Sequence, residues 1–170
     1  MNTLILGGAR SGKSALAQRW AIESGLAVSL IATAQPLDAE MRDRIARHQA
    51  DRPAGWRTVE EPLALAAALQ AECAADRCVI VDCLTLWLTN LLLDSETRLE
   101  TETQALLKIV PDLPGAILWV SNETGQGVVP ADALSRRFVD AAGWLHQALA
   151  QRCEQVVLCV AGLPLVLKGD

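Results

Sequence analysis

The sequence is short of the features that mark several large protein classes. It has no run of like charge, and its 15 Lys and Arg are scattered against 20 Asp and Glu for a net charge of −5. No basic face is evident, which argues against nucleic acid as a partner. The five cysteines include no Cys-x-x-Cys pair and no histidine at zinc-finger spacing, and their number is odd. They read as buried free thiols of a reducing, cytoplasmic protein. The longest nearly uncharged stretch, Cys78 to Leu93, contains Asp82 and falls short of a membrane span. No signal peptide is expected, because the first residues run straight into a strand. There is no internal repeat, linker or low-complexity segment. With 51% apolar and 21% charged residues, the 170 residues are expected to fold as one domain, residues 1–170.

What is present is concentrated near the start. Gly7-Gly8-Ala9-Arg10-Ser11-Gly12-Lys13-Ser14 fits G-x-x-x-x-G-K-[ST], the phosphate-cradling P-loop. Its context fits as well: Thr3 to Leu6 reads as a strand and Ser14 to Ser24 as a helix. Such a loop gathers backbone N–H groups at a helix N-terminus, where an anion is favoured. Lys13 would reach a β- or γ-phosphate, and the Ser14 hydroxyl would sit on Mg²⁺.

Apolar runs alternate with helical patterns along the rest of the chain, predicting an α/β fold of the P-loop NTPase kind. Its sheet is expected to be mostly parallel, with helices on both faces. Strands are expected at Ala27 to Ala32, Trp56 to Val59, Cys78 to Val81, Ala116 to Val120 and Gln155 to Val160. Asp38 caps a helix to about Ala50, and Pro62 opens an alanine-rich one to about Ala75. Ser95 starts a polar helix, Pro130 introduces a long helix to about Arg152, and Leu163 to Lys168 reads as an apolar tail. Leu84 to Leu93 is apolar nearly all round, so it is either deeply buried or part of a subunit contact.

Loops after the strands should carry the chemistry. Asp82 ends a buried strand, where an acid in this fold is the expected Mg²⁺ partner, although a capping role would look the same. Asn122-Glu123-Thr124-Gly125-Gln126-Gly127 faces the same edge, and Glu123 suits a metal, a ribose or substrate hydroxyls. Of the two histidines, His48 shares a helical face with Leu37, Met41 and Ile45 and is flanked four residues away by Arg44 and Arg52. It is either a histidine at the edge of the core or a nucleophile toward phosphorus held among guanidiniums. Arg136, Arg137 and Asp140 read as solvated charges, and His146, with no neighbouring cluster, as structural.

These segments together resemble a known family. Residues 7–14, Ile-Ala-Thr-Ala (31–34), Arg-Ile-x-x-His-x-x-x-Arg-Pro (44–53), Val-Asp-Cys-Leu-Thr-Leu-Trp-Leu-Thr-Asn (81–90), Ser-Asn-Glu-Thr-Gly-x-Gly-Val-Val-Pro (121–130) and Ala-Gly-Leu-Pro (161–164) occur in that order. The chain resembles the bifunctional adenosylcobinamide kinase/adenosylcobinamide-phosphate guanylyltransferases of cobalamin nucleotide-loop assembly. The resemblance implies phosphorylation of adenosylcobinamide by ATP or GTP, then transfer of GMP from GTP with release of pyrophosphate. It implies that His48 carries GMP covalently and that Gly7, Gly8, Ala9, Arg10, Ser11, Gly12, Lys13 and Ser14 hold the phosphates. Ala32, Thr33 and Ala34, together with Gln49, Ala50, Asp51 and Arg52, would line the nucleotide, and Glu60 and Asp82 match the remaining acidic contacts. It further implies a homotrimer, for which the apolar helix 84–93 would suit the contact. Leu30 stands where a tyrosine is usual, and Trp144-Leu145-His146-Gln147 departs from the usual Asn-Gln pairing, so no substrate contact is assigned to that helix. Two other readings compete from the residues alone: a simple P-loop small-molecule kinase with a structural His48, and a nucleotide switch. The second is disfavoured by the lack of an Asn-Lys-x-Asp guanine-reading motif.

Overall fold

Alternation along the strands dictates the layering. In β1 (Asn2–Gly7), Leu4 and Leu6 face one side of the sheet and Ile5 the other. The same division separates Val79 and Val81 from Cys78 and Ile80 in β4 (Arg77–Asp82), and Ile117 and Trp119 from Leu118 and Val120 in β5 (Ala116–Asn122). Strands apolar on both faces belong in the middle of a sheet covered by helices. The computed structural model shows this sheet. Leu37, Asp51, Arg52, Ala54 and Asp170 lie outside the described residues, as do the side chains of Arg44, Arg47, His48 and Ala50.

Among the described residues, seven strands run in the order β3-β2-β4-β5-β1-β6-β7, where β2 is Ala27–Ala32, β3 Arg57–Glu60, β6 Gln155–Val160 and β7 Leu163–Lys168. All pairs are parallel except β6 with β7. On one face, Leu16, Ala17 and Ala21 of α1 (Lys13–Glu23) pack on Ile5, Ile80 and Val120. The other face carries α3 (Leu65–Glu72), α4 (Leu84–Asp94), α5 (Glu96–Ile109) and α6 (Ala133–Arg152). The remaining helix, α2 (Ala39–Ala50), is capped by Asp38, whose Oδ1 accepts from the Met41 N–H at 2.7 Å.

Two sequence expectations are sharpened here. Helix α4 packs into the chain's own core: Leu84, Trp87, Leu88 and Leu91 are fully buried among the other helices, while Leu93 at its end is exposed. Its polar groups are matched to that setting. Trp87 Nε1 donates to the Leu63 carbonyl at 2.7 Å, and Asn90 Nδ2 donates to the carbonyls of Thr33 (2.8 Å) and Pro62 (3.0 Å). The apolar tail is a strand. Ala161 (φ 52°) and Gly162 (φ 81°) turn the chain back on itself in the left-handed region, the backbone of a two-residue hairpin, and β7 pairs antiparallel with β6. The cue was an Ala-Gly pair, which is easily passed over because alanine seldom adopts positive φ.

Away from the loops, one buried acid ties four elements together. Glu72 of α3 accepts from Ser29 Oγ of β2 (2.8 Å), Arg57 Nε of β3 (2.9 Å) and Arg77 Nη1 of β4 (3.2 Å). Three donors on one carboxylate compensate the cost of burying its charge. This clamp fixes the order of the outer strands, and with it the position of the loops at their far ends.

Candidate active site: a cavity between the P-loop and helix α2

The C-terminal ends of β1, β2, β4 and β5 and the start of α1 converge on a cavity of about 600 Å³. Its floor is Arg10 to Ala15. Ala32, Asp82 and Asn122 from the strand ends form one side, with Ala34 in the loop after β2. Met41, Arg42, Ile45, Ala46 and Gln49 of α2 face the P-loop from across it, with Glu60 at the end of β3. Gln49 Nε2 donates to Glu60 Oε1 at 3.3 Å, joining those two walls.

The P-loop is built by close backbone approach. A Cβ on Gly7 would lie 2.5 Å from the Cys159 carbonyl oxygen. Gly12 (φ 97°) precedes α1, and a Cβ there would meet Gly162 Cα at 3.0 Å. The β6–β7 turn supports the loop from behind: Gly162 N–H donates to the Ser11 carbonyl at 2.8 Å, and Cys159 Sγ donates to the same oxygen at 3.1 Å. Within the loop, the buried Lys13 ammonium donates to the Gly8 carbonyl at 2.5 Å and to Ser11 Oγ at 3.4 Å. A cation already housed among backbone dipoles is placed to meet phosphate oxygens.

The loop after β2 divides in two. Ala32 and Ala34 line the cavity. Thr33 is fully buried, and its Oγ1 donates to the Cys83 carbonyl (2.7 Å) and accepts from the Cys83 N–H (2.9 Å). Its role is to hold the end of β2 to the end of β4, where Asp82 stands. Beside Asp82, burial and the neighbouring carboxylate push the Cys83 thiol up, so it remains protonated. Cys83 Sγ lies 3.2 Å from Thr85 Oγ1, which accepts from Asn122 Nδ2 at 2.7 Å.

Of the residues expected from sequence, Arg10, Ser11, Gly12, Lys13, Ser14, Ala32, Ala34, Gln49, Glu60 and Asp82 meet around this cavity. Gly7, Gly8 and Ala9 form the ascending part of the loop. His48 lies on α2, one residue before Gln49 and three after Ile45, but its side chain is outside the described residues. So are Asp51, Arg52 and the side chain of Ala50. Arg136 donates to the carbonyls of Pro130 and Ala131, and Arg137 pairs with Glu96, so both serve local structure. Glu123 turns its Oε1 back onto the Gly125 N–H at 2.7 Å, leaving Asn122 as that loop's contribution to the cavity. Sequence reasoning placed Met41 and Ile45 on the His48 face of α2 without assigning them to the site, and it passed over Arg42 and Ala46. The three-and-four spacing of all four on one face of α2 was the available signal.

A Gly-rich loop between β1 and α1, with an acid at the end of a nearby strand, on a mostly parallel sheet, defines a P-loop NTPase-like protein. Solved structures share the fold. A Pyrococcus horikoshii protein aligns with a TM-score of 0.56 at 9% identity, covering 99% of this chain and 86% of that one. The RadB recombinase aligns with a TM-score of 0.52 at 16% identity, covering 92% and 73%.

Within that class the family is specific. A family model described as cobinamide kinase/cobinamide phosphate guanyltransferase matches residues 3–167, and the chain belongs to this family. The bifunctional adenosylcobalamin biosynthesis protein CobP of Pseudomonas aeruginosa is 67% identical over 171 residues, covering 100% of this chain and 99% of that one. CobU of Escherichia coli, of the same description, is 37% identical over 182 residues, covering 99% and 100%. The chain is a bifunctional cobinamide kinase and guanylyltransferase of cobalamin biosynthesis.

Proposed function

We propose that both reactions use the cavity between the P-loop and α2, and that guanylyl transfer passes through a covalent GMP on His48. The observation that carries this reading is the facing of the two walls: residues 10–15 on one side, and on the other the helix that bears His48. The loop residues Gly7 to Ser14 grip the phosphates, with Lys13 exchanging its contact with Gly8 for phosphate oxygens. Ala32, Ala34, Gln49 to Arg52 and Glu60 surround the rest of the nucleotide. The donor set suits Mg²⁺: one hydroxyl (Ser14) and one carboxylate (Asp82) line the same cavity, and this ion takes few protein ligands when substrate phosphates complete its shell. When bound, it neutralises charge on the phosphate oxygens.

In the kinase step, the γ-phosphoryl of ATP or GTP passes to the adenosylcobinamide hydroxyl. In the guanylyl step, a neutral His48 ring nitrogen attacks the α-phosphorus of GTP. A P–N bond forms and the bond to the β-phosphate oxygen breaks. Pyrophosphate leaves with the electron pair, and the ring's other nitrogen releases its proton to solvent. The phosphate oxygen of adenosylcobinamide phosphate then attacks the same phosphorus; the P–N bond breaks, the ring leaves with its electron pair and takes a proton back from solvent, giving adenosylcobinamide-GDP and free histidine. Splitting one displacement into two is the gain of nucleophilic catalysis. Incubation with α-labelled GTP and Mg²⁺ tests this directly. The expected result is an acid-labile, alkali-stable label on the protein, absent in His48→Ala. Full guanylyl transfer by His48→Ala would sink the covalent route and leave direct transfer in its place.

No described helix is long and apolar enough to cross a membrane. In this reading the protein works in the cytoplasm, a setting that its free cysteines suit. It assembles as a homotrimer, and β7 is the surface for self-association. This edge strand exposes Leu163, Leu165, Val166 and Leu167, Leu163 at 71%. An open edge with apolar side chains favours pairing with another chain.

A further inference from the structure

The strand that pairs with β1 in the centre of the sheet, β5, ends beside the P-loop. Asn122 is the register partner of Gly7, and the next residue, Glu123, donates its N–H to the Gly7 carbonyl at 3.0 Å. The Asn122 side chain lines the cavity together with Lys13 and Asp82. It is also anchored. Nδ2 donates to Thr85 Oγ1 at 2.7 Å, and the Thr85 hydroxyl, buried at the start of α4, lies 3.2 Å from Cys83 Sγ. An asparagine amide has two N–H donors and a carbonyl acceptor. One N–H is taken by Thr85, which leaves a carbonyl and one N–H for whatever occupies the cavity.

That pair of functions matches one need of the kinase reaction. The acceptor is an alcohol, which donates a hydrogen bond, and the group it attacks is a phosphoryl, which accepts one. Phosphoryl transfer is mainly positioning and charge stabilisation, and an amide side chain orienting the attacking oxygen is one of its recurring parts. We propose that Asn122, held by Thr85, orients the acceptor hydroxyl against the γ-phosphoryl group in the kinase half-reaction; this rests on the nucleotide seating given above. The Asn122 carbonyl accepts from the alcohol O–H while its remaining N–H donates to a γ-phosphoryl oxygen. The alcohol oxygen forms the new P–O bond as the bond between γ-phosphorus and the β–γ bridging oxygen breaks. The nucleoside diphosphate leaves with that electron pair, and the alcohol's proton passes to the transferred phosphoryl group and then to solvent. Asn122 itself takes no proton. In guanylyl transfer the attacking atoms are a ring nitrogen and a phosphate oxygen, neither of which is an alcohol, so Asn122 has no acceptor to orient there.

The two half-reactions therefore supply the discriminating measurement. In Asn122→Ala and the isosteric Asn122→Asp, kcat for phosphorylation of adenosylcobinamide should fall about a hundredfold, the size of losing one preorganised transition-state contact. Phosphorylation should fall at least thirtyfold more than guanylyl transfer measured with adenosylcobinamide phosphate and GTP. Hydrolysis of the triphosphate by water should rise relative to phosphorylation, since the alcohol loses its advantage over water. Thr85→Val should show a smaller loss of the same selectivity, and Thr85→Ser, which keeps the hydroxyl, should restore most of it. An unchanged phosphorylation rate in both Asn122 variants overturns the proposal. So does a parallel fall of both half-reactions together with nucleotide affinity, because Asn122 would then be a strut of the loop. Lys13→Ala separates this from the underlying reading. If that variant binds nucleotide and runs both reactions like wild type, the nucleotide does not sit on this loop and the seating itself fails.

Discussion

Thr33→Val tests whether the end of β2 is a strut for the acid at the end of β4. The substitution nearly preserves volume and removes only the hydroxyl. Two hydrogen bonds go with it, both to Cys83, whose backbone is buried. The Cys83 carbonyl keeps a second partner in the Trp87 N–H at 3.2 Å, so its loss is that of one ordinary bond, about 0.5–1.5 kcal/mol. The Cys83 N–H loses the partner it has in Thr33 Oγ1, and a buried unpaired donor costs about 1–3 kcal/mol. The sum is roughly 1.5–4.5 kcal/mol, or roughly 3–18 °C in melting temperature for a chain of this size. Asn90 still holds the Thr33 carbonyl, so the loop should remain in place while the end of β4 loosens. Thermal and urea unfolding followed by circular dichroism would measure the change, with Thr33→Ser, which keeps the oxygen, retaining most of the stability. Both activities should fall in the Val variant, because Asp82 precedes the loosened peptide and accepts the Thr33 N–H through its own carbonyl at 3.2 Å. A Val variant within about 0.5 kcal/mol of wild type would refute the reasoning, since surface-like changes stay inside that range.

Two more outcomes are expected. Burial holds the His146 pKa below its ordinary 6.5, with the Glu123 charge opposing more weakly, and its Nε2 lies 2.7 Å from Ser121 Oγ. The unfolded state then binds a proton at a pH where the folded state does not. Stability should fall as pH drops below 6.5 until the folded histidine titrates, and His146→Gln should flatten that part of a melting-temperature profile. At the sheet edge, Leu165→Lys should shift sedimentation from oligomer to monomer while leaving the melting temperature of dilute protein nearly unchanged. Wild-type sedimentation in that variant would remove β7 from the contact.

Much of this was legible in the residues because the signals were local. β2 and β6 have the bounds their apolar runs indicated, and the P-loop fixed the position and chemistry of the floor of the cavity. What was hidden depends on the third dimension. Thr33 sits in a segment whose flanking alanines do line the cavity, and nothing in one dimension says that the residue between them faces Cys83. The all-apolar helix α4 fitted burial and association equally well, and its burial shows only in the side chains packed on it and in its hydrogen bonds through Trp87 and Asn90 to neighbouring loops. In the loop after β5, Glu123 drew attention as the charged residue. Its carboxylate closes a turn, and the neutral Asn122 faces the cavity.

The support that the β6–β7 turn gives the P-loop also bears on synthesis. β1 emerges from the ribosome before the other strands of this sheet, yet it lies between β5 and β6 and has no neighbouring strand until those are made. The Ser11 carbonyl finds its Cys159 donor 148 residues further along the chain. A nascent chain therefore carries the whole nucleotide motif long before it can hold that motif in shape. Contacts of such high sequence separation form late and slow folding. Ribosome-bound chains stopped short of Gly162 should fail to retain nucleotide, although every residue of the P-loop is already present.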